Sequence, residues 1–421
     1  MTIYNPLTLR GAGTCTTNGA PSGNGTYLNY TGSGTAIIIG DNSATDKEGY
    51  KLRDFEVIGT SSATNGIQVG AGHASSKWFL KGSIKRVTVR GFTKAGAAGF
   101  LLDSVISGVF EQCYAQANAI GFSITGTTTN STFINCYART NTGIGWYLHD
   151  IVESSFHDCL SESNGAEGLK IWTSGVGSLV FNNFYSTDNN SSSGTAPVVI
   201  GGDSNAPAYI TFVGGYFQTT MTPNYQFNLG YAQYVEWINP TVTSYNASWM
   251  TVTANTVGCK YRTNAYPNLD MTDIAGWTAT RLNMKCENHS WTPTITDQHS
   301  HTATTSVAKG VYSLDGNRVT VTGQVALSDK SSLTGTDALL IQLPSALGNV
   351  APSPSPNMPG VVQVAYVGTD NSGLSMQANP STTTAYIMQN SVSSITDGLV
   401  LLVSDCVNTS QFYFSVSYLV Q

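Results

Sequence analysis

Three cysteines 23 residues apart, Cys113, Cys136 and Cys159, each sit in the same local phrase: Phe110-Glu-Gln-Cys-Tyr-Ala, Phe133-Ile-Asn-Cys-Tyr-Ala and Phe156-His-Asp-Cys-Leu-Ser. Each unit is too short to bury its own apolar face, and no helix-length run lies between units. A period of about 20 to 35 residues with apolar positions two or three apart is satisfied when units stack on one another as a β-solenoid.

Relaxing the phrase to apolar-x-x-apolar-x-small finds further copies. The leading positions are Leu52, Ile84, Phe110, Phe133, Phe156, Phe181, Phe212 and Trp237, with steps of 32, 26, 23, 23, 25, 31 and 25 residues. Eight coils with variable insertions are therefore expected. A second phrase, a turn residue followed by apolar-x-apolar, runs in step: Ile67/Val69, Phe100/Leu102, Phe122/Ile124, Trp146/Leu148, Leu169/Ile171, Val198/Ile200, Phe227/Leu229 and Met250/Val252. Alternation of this kind marks strands with one buried face. Residues before the leading positions, such as Ile106, Val152 and Val176, point to a third short strand. Asn118, Asn141, Asn164 and Asn189 recur between the two phrases. A stacked turn is expected there, with asparagine taking the left-handed conformation and bonding its neighbours. At about 4.8 Å per coil, eight coils span roughly 40 Å.

Only 10% of the 421 residues are charged, and there are 43 glycines. That balance favours an all-β, turn-rich architecture over helical bundles. A net charge of −6 offers no overall basic character for nucleic acid. No run of 18 apolar residues is present, so no membrane insertion is expected, and Met1-Thr-Ile-Tyr-Asn-Pro lacks the opening of a secretion signal. The ladder cysteines read as small core residues. Cys15, Cys259, Cys286 and Cys406 have no metal-binding spacing, so reduced thiols and neither metal nor cofactor are expected.

The repeat phrases end at Val252, which gives a solenoid over 1–252, an irregular connector over 253–288 and a C-terminal module over 289–421. In that module Trp291-Thr-Pro-Thr-Ile-Thr, the long run from Gly310 to Leu327, Leu339-Leu-Ile-Gln-Leu-Pro and Phe412-Tyr-Phe-Ser-Val-Ser-Tyr alternate as strands, and Asp315-Gly316 is a hairpin signal. A β-sandwich or jelly roll fits.

With Gly11-Ala-Gly-Thr and Gly32-Ser-Gly-Thr-Ala-Ile ahead of the repeats, the chain resembles the right-handed parallel β-helix, pectate-lyase-like, of bacteriophage tailspike proteins. Its C-terminal phrases resemble the β-sandwich that closes many phage tail proteins. The resemblance implies a homotrimer on the virion tail, made in the bacterial host cytoplasm. It also implies a depolymerase that binds and cleaves capsular polysaccharide or lipopolysaccharide O-antigen. Such proteins commonly carry an N-terminal virion-binding domain. Here the repeats start almost at Met1, so either that domain has been lost or docking runs through the tail baseplate or an adaptor protein.

Outward columns are where chemistry would sit. The column after the cysteines holds Tyr114, Tyr137, Leu160, Tyr185 and Tyr216, readable as a sugar-stacking platform or, preferentially, as a subunit interface. On the second strand the outward residues are Leu101, Ser123, Tyr147 and Lys170, then Asp103, Thr125, His149 and Trp172. Arg139, Glu162 and Glu167 flank the asparagine turn, the first two as an expected ion pair. Catalytic candidates are Glu162, Glu167, His149, Tyr147, Lys170 and Asp103; Arg139, Trp172, Tyr137 and Asp150 are candidates for substrate binding. A glycosidase needs two carboxyls about 5 Å apart for retention or about 6.5 to 9.5 Å for inversion, and Glu162 with Glu167 or Asp103 with Asp150 would serve. A lyase needs a cation and a base such as Tyr147, His149 or Lys170. A non-catalytic, glycan-binding fibre is the alternative to both enzymes. Polygalacturonase phrases and stacked calcium-binding aspartates are absent. The loop from Gly70 to Ser83, with His73, Lys77 and Trp78, reads as a groove wall or a subunit contact, and His289, His299 and His301 as a solvated linker.

Overall fold

The computed structural model describes residues 2–3, 7–13, 16–17, 20–21, 25–40, 47–70, 79–172, 175–190, 196–201, 207–218, 226–243, 250–253, 256–263, 274–275, 282–315, 318–344, 359–365, 374–378, 384–389, 399–406, 408 and 410–419. It divides into two compact units, one of Met1–Lys260 with Asp273–Trp277 and one of Tyr261–Thr272 with Thr278–Gln421. The first is a parallel β-solenoid. His73, Lys77, Trp78, Cys15 and Gly316 lie outside the described residues, as do the side chains of Cys286 and His289.

All eight expected rungs are present and in register. Phe110 aligns with Ile84 behind it and with Phe133, Phe156, Phe181, Phe212 and Trp237 ahead. Their rings stack at 4.7, 4.7, 4.5, 4.6 and 5.7 Å. A second column runs through Phe100, Phe122 and Trp146 at 4.8 and 4.0 Å. Such aromatic pairs add roughly 0.5–1.5 kcal/mol each beyond their burial. The stack also takes in Thr8–Arg10 and Thr35–Ile39 at one end and Ile274–Ala275 at the other. Segment 253–288 is accordingly less irregular than its composition implies. It contributes Cys259–Thr263 and Ile274–Ala275, and Leu282–Trp291 begins the antiparallel unit.

A single coil runs Val105–Ile106, Val109–Glu111, Tyr114–Gln116 and Ile120–Ile124. The expected third strand is there, and the leading phrase is itself broken in two. The break is conformational: residues at three corners per coil take left-handed angles. Ser107, Asn130, Glu153 and Ser178 form one corner column; Gln112, Asn135, Asp158 and Asn183 the next; Ala117, Thr140, Ser163 and Asp188 the third, all with φ between 50 and 57°. A non-glycine residue pays roughly 1–2 kcal/mol for that conformation. Throughout the second and third corner columns the left-handed residue's amide donates to the neighbouring coil, as from Gln112 to Ile134 and from Thr140 to Glu162.

The asparagines differ from expectation in one respect. The left-handed residue is the one before each asparagine, and the asparagine itself is buried in a side-chain ladder. Asn118 Nδ2 donates to Asn141 Oδ1 (3.3 Å), Asn141 to Asn164 (2.8 Å) and Asn164 to Asn189 (2.7 Å). Each Oδ1 also accepts the backbone amide of the preceding asparagine, at 3.0 to 3.1 Å. The cysteine ladder is inert core, its thiols donating to the carbonyls of Ile84, Phe110 and Phe133. Burial pushes the Cys113 and Cys159 thiols well up and Cys259 to about 11.

The second unit is antiparallel, as a sandwich requires. Thr304–Asp315 pairs with Leu282–Trp291 and Arg318–Asp329, which continues to Gln411–Leu419 and Pro359–Ala365. His299 and His301 are not a solvated linker. Their Nδ1 atoms bond Asp337 and Asp297 respectively. Burial would raise the Asp297 carboxyl, but the Thr334 amide, the His301 ring and the amides of His301 and His299 outweigh it and hold the group well below the usual range. Asp297, His299 and Asp337 present donor atoms within 4.8 Å of one another. Asp297 already accepts four hydrogen bonds there, the role of a turn staple. Among the described residues no helix is long and apolar enough to cross a membrane.

Replacing Asn141 with alanine strands the amide and carboxamide donors of Asn118 in a buried site. The expected cost is about 2–4 kcal/mol in urea unfolding of the solenoid, and a loss below about 0.5 kcal/mol would contradict a structural role for the ladder.

Candidate functional site

The outward columns fall where the repeat alignment puts them. Leu101, Ser123, Tyr147 and Lys170 are in register on four successive coils. Asp103, Thr125, His149 and Trp172 follow in line, each amide donating to the coil before it, to Val69, Leu102, Ile124 and Leu148. Buried neighbours fix the strand between them: Trp146, Leu148, Leu169 and Ile171 point inward, which forces Tyr147 and Lys170 outward.

Lys170 organises the C-terminal side of this face. Its ammonium lies 3.4 Å from Glu167 Oε1 and 4.1 Å from the centre of the Trp172 ring. Both charged side chains are largely covered, so the pair and the cation–π contact are stronger than their exposed equivalents.

Asp150 stands one coil before Lys170, and Asp103 two coils before Asp150. Asp150 is half-buried, and desolvation raises its affinity for a proton; His149, 3.9 Å away, opposes this and Asp103 reinforces it. Desolvation is the largest of the three effects and the like charge of Asp103 the smallest. Each carboxyl is seated against a glycine of the next coil. A Cβ on Gly126 would meet Asp103 Oδ1 at 1.7 Å, and one on Gly175 would meet Asp150 Oδ1 at 1.8 Å. These glycines are the residues that sequence reasoning passed over, although the signal was present: Gly126 follows Asp103 by one 23-residue period.

A separate groove of about 350 Å³ runs along the strands after the cysteine ladder, lined by Tyr114, Tyr137, Gln116, Arg139, Leu160 and Glu162. Tyr114 and Tyr137 meet edge to face at 4.8 Å. Arg139 Nε and Glu162 Oε2 are 2.9 Å apart, the expected ion pair. Glu162 and Glu167 are thus engaged by different cations, on either side of the turn that carries buried Asn164. Asp150 feels the like charge of Asp103 instead, and Tyr147 lies near His149, ring centres 6.0 Å apart.

No protein-family model matches the sequence, and no curated protein is similar to it in sequence. Among solved structures the chain is similar to the Dettilon tailspike protein gp208, at 13% identity and a TM-score of 0.43, over 93% of this chain and 86% of that one. It is similar to tailspike protein gp49 of Acinetobacter baumannii bacteriophage Fri1, a capsular polysaccharide depolymerase, at 11% identity and 0.46, over 94% and 70%. Tailspike protein 2 of the Escherichia coli O157:H7 bacteriophage CAB120 is similar at 12% and 0.45, over 93% of this chain and 64% of that one.

The linked carboxyls make a directional prediction. In carbon-detected titration, Asp103→Asn lowers the Asp150 midpoint by removing a like charge, and His149→Ala raises it. An Asp150 midpoint indifferent to both changes would show that the two aspartates do not share a field. Because the folded value is raised, the contribution of Asp150 to stability is full in acid and is lost as pH climbs through that value.

Proposed function

We propose that this chain is a phage tailspike depolymerase that binds and hydrolyses a bacterial surface polysaccharide, either capsule or O-antigen. The observation that carries the reading is the Asp103–Asp150 pair on a face that also presents Tyr147, His149, Lys170 and Trp172. Asp150, the carboxyl whose protonated form is favoured, is suited to donate a proton to the glycosidic oxygen. Asp103, as carboxylate, is suited to deprotonate water on the opposite side of the sugar. Their backbones stand two coils apart, roughly 9 to 10 Å at the usual strand spacing, at the upper end of the range for inversion and well beyond that for retention. Tyr147 and Lys170 supply hydrogen bonds to sugar hydroxyls or a uronate, and the free face of Trp172 a stacking surface. Glu167 holds Lys170 in place, so it is a positioning residue in this reading. The groove with Tyr137, Arg139 and Glu162 serves as a binding subsite.

The reading includes a homotrimer mounted on the virion tail through an adaptor or baseplate protein, with the C-terminal unit closing the assembly or adding glycan contacts. An apolar exposed patch supports self-association. Tyr209 and Tyr234 stack at 5.1 Å while 61% and 48% exposed, with Val180, Val213 and Val257 also exposed. A receptor-binding fibre without catalysis is the second reading, favoured by the ion pairs that occupy both Glu162 and Glu167.

Purified capsule and O-antigen panels decide between them. Hydrolysis releases reducing ends with no unsaturated-uronate absorbance, whereas a lyase produces that absorbance. Asp150→Asn and Asp103→Asn each lower turnover by roughly 10² to 10⁴-fold with binding retained, while Glu162→Gln weakens binding more than turnover. Tight binding without shortening across the panel overturns the enzyme reading in favour of the fibre.

A further inference from the structure

A second groove, of about 510 Å³, lies on the earlier coils of the solenoid; neither Asp103 nor Asp150 lines it, and its lining is cationic. Lys51, Arg53, Lys81 and Lys85 surround it with Gly82, Ser83 and Ser107, and no acid is among the lining residues. The strand register builds it: Arg10, Arg53 and Lys85 occupy one column on consecutive rungs, and Lys51 aligns with Ser83. Lys81 stands at a left-handed corner with φ 52°. With Arg86, six of the chain's 19 lysines and arginines gather here, in a protein whose net charge is −6.

Three acids answer them incompletely. Asp54 is engaged by Arg86 at 2.6 Å and Arg10 at 3.4 Å, and Glu111 by Lys85 at 2.7 Å. Glu48 sits on the adjoining strand. Among the described residues neither Lys51 nor Lys81 has an ion-pair partner. Two buried donors are also unanswered among them, Arg53 Nε and the hydroxyl of Tyr50. Tyr50 lies directly beneath Gly82, where a Cβ would meet its ring at 2.0 Å. Gathering like charges around a cavity whose lining includes an unsatisfied donor, on Arg53, costs stability unless an anion enters it.

We propose that this groove binds the acidic groups of an anionic polysaccharide, the carboxylates of uronate-type sugars, as a site distinct from the carboxyl pair. The anion site stands on its own geometry; the choice of glycan over another polyanion rests on the polysaccharide reading above. Arg53 and Lys85 stand one rung apart, with backbones about 4.8 Å from each other, so the cations follow one another along the stack. A row of cations suits a chain of acidic groups laid along the stack rather than a single compact ion. The groove would hold a chain while the Asp103–Asp150 face acts on it farther along.

The test uses the full chain and a fluorescent polyuronate, with dextran as neutral control and single-stranded DNA of matched charge as the rival polyanion. The expected result is polyuronate binding that weakens with salt, and about tenfold weaker binding by Lys51→Ala/Lys81→Ala, both exposed residues whose loss leaves the core intact. Equal binding by the lysine variant, equal binding of dextran, absence of polyuronate binding, or tighter binding of DNA each overturns the proposal. Failure of the capsule panel to be cleaved, with polyuronate binding intact and lysine-dependent, removes the depolymerase reading and leaves the groove assignment standing.

Discussion

Everything in the solenoid depends on parallel pairing held in one register through residues that resist the geometry. The corner columns place serine, glutamine, asparagine, threonine and even glutamate in left-handed angles. That cost recurs at every coil, and the amide ladder between coils offsets it each time. Because a one-residue slip would turn every side chain to the wrong face, the phenylalanine column, the cysteine column and the asparagine ladder enforce the same alignment independently. The candidate chemistry inherits that rigidity: Tyr147, His149 and Lys170 sit on strands whose inward residues have no freedom to move.

The rung alignment was legible in the sequence because burial repeats with the coil, and a repeated constraint leaves a repeated residue. Phe110, Phe133 and Phe156 announce one another. The corners were not legible, since Ser107, Asn130 and Glu153 share a backbone angle and no side-chain chemistry. The asparagine ladder was half-read: recurrence revealed the stack, but not that the residue before each asparagine absorbs the strain.

The candidate site was legible as a set of columns and not as a set of partnerships. Arg139 with Glu162 follows from adjacency on neighbouring coils. The preference of Lys170 for Glu167 and Trp172, and the shared field of Asp103 and Asp150, depend on side-chain reach and desolvation, which spacing does not encode. The cationic groove was hidden by averaging. A net charge of −6 describes the chain, while coil register decides which lysines stand together.

The asparagine ladder has a polar sense. From Asn118 to Asn164 each carboxamide gives one hydrogen to the next asparagine along the stack and the other to a backbone carbonyl of the coil behind, at Val89, Ala115 and Ala138, so the side-chain chain runs in one direction. At the N-terminal end the carbonyl of Asn118 receives the Phe92 amide. At the other end Asn189 keeps the backbone bond, to the carbonyl of Ser161, and gives its second hydrogen to the hydroxyl of Ser186 on its own coil. Ser186 stands where earlier coils carry Ala115 and Ala138, and its hydroxyl serves the last described donor of the ladder as a capping residue serves a helix. A coil grafted into the middle of the ladder needs only an asparagine, whereas one grafted beyond Asn189 must bring its own terminator.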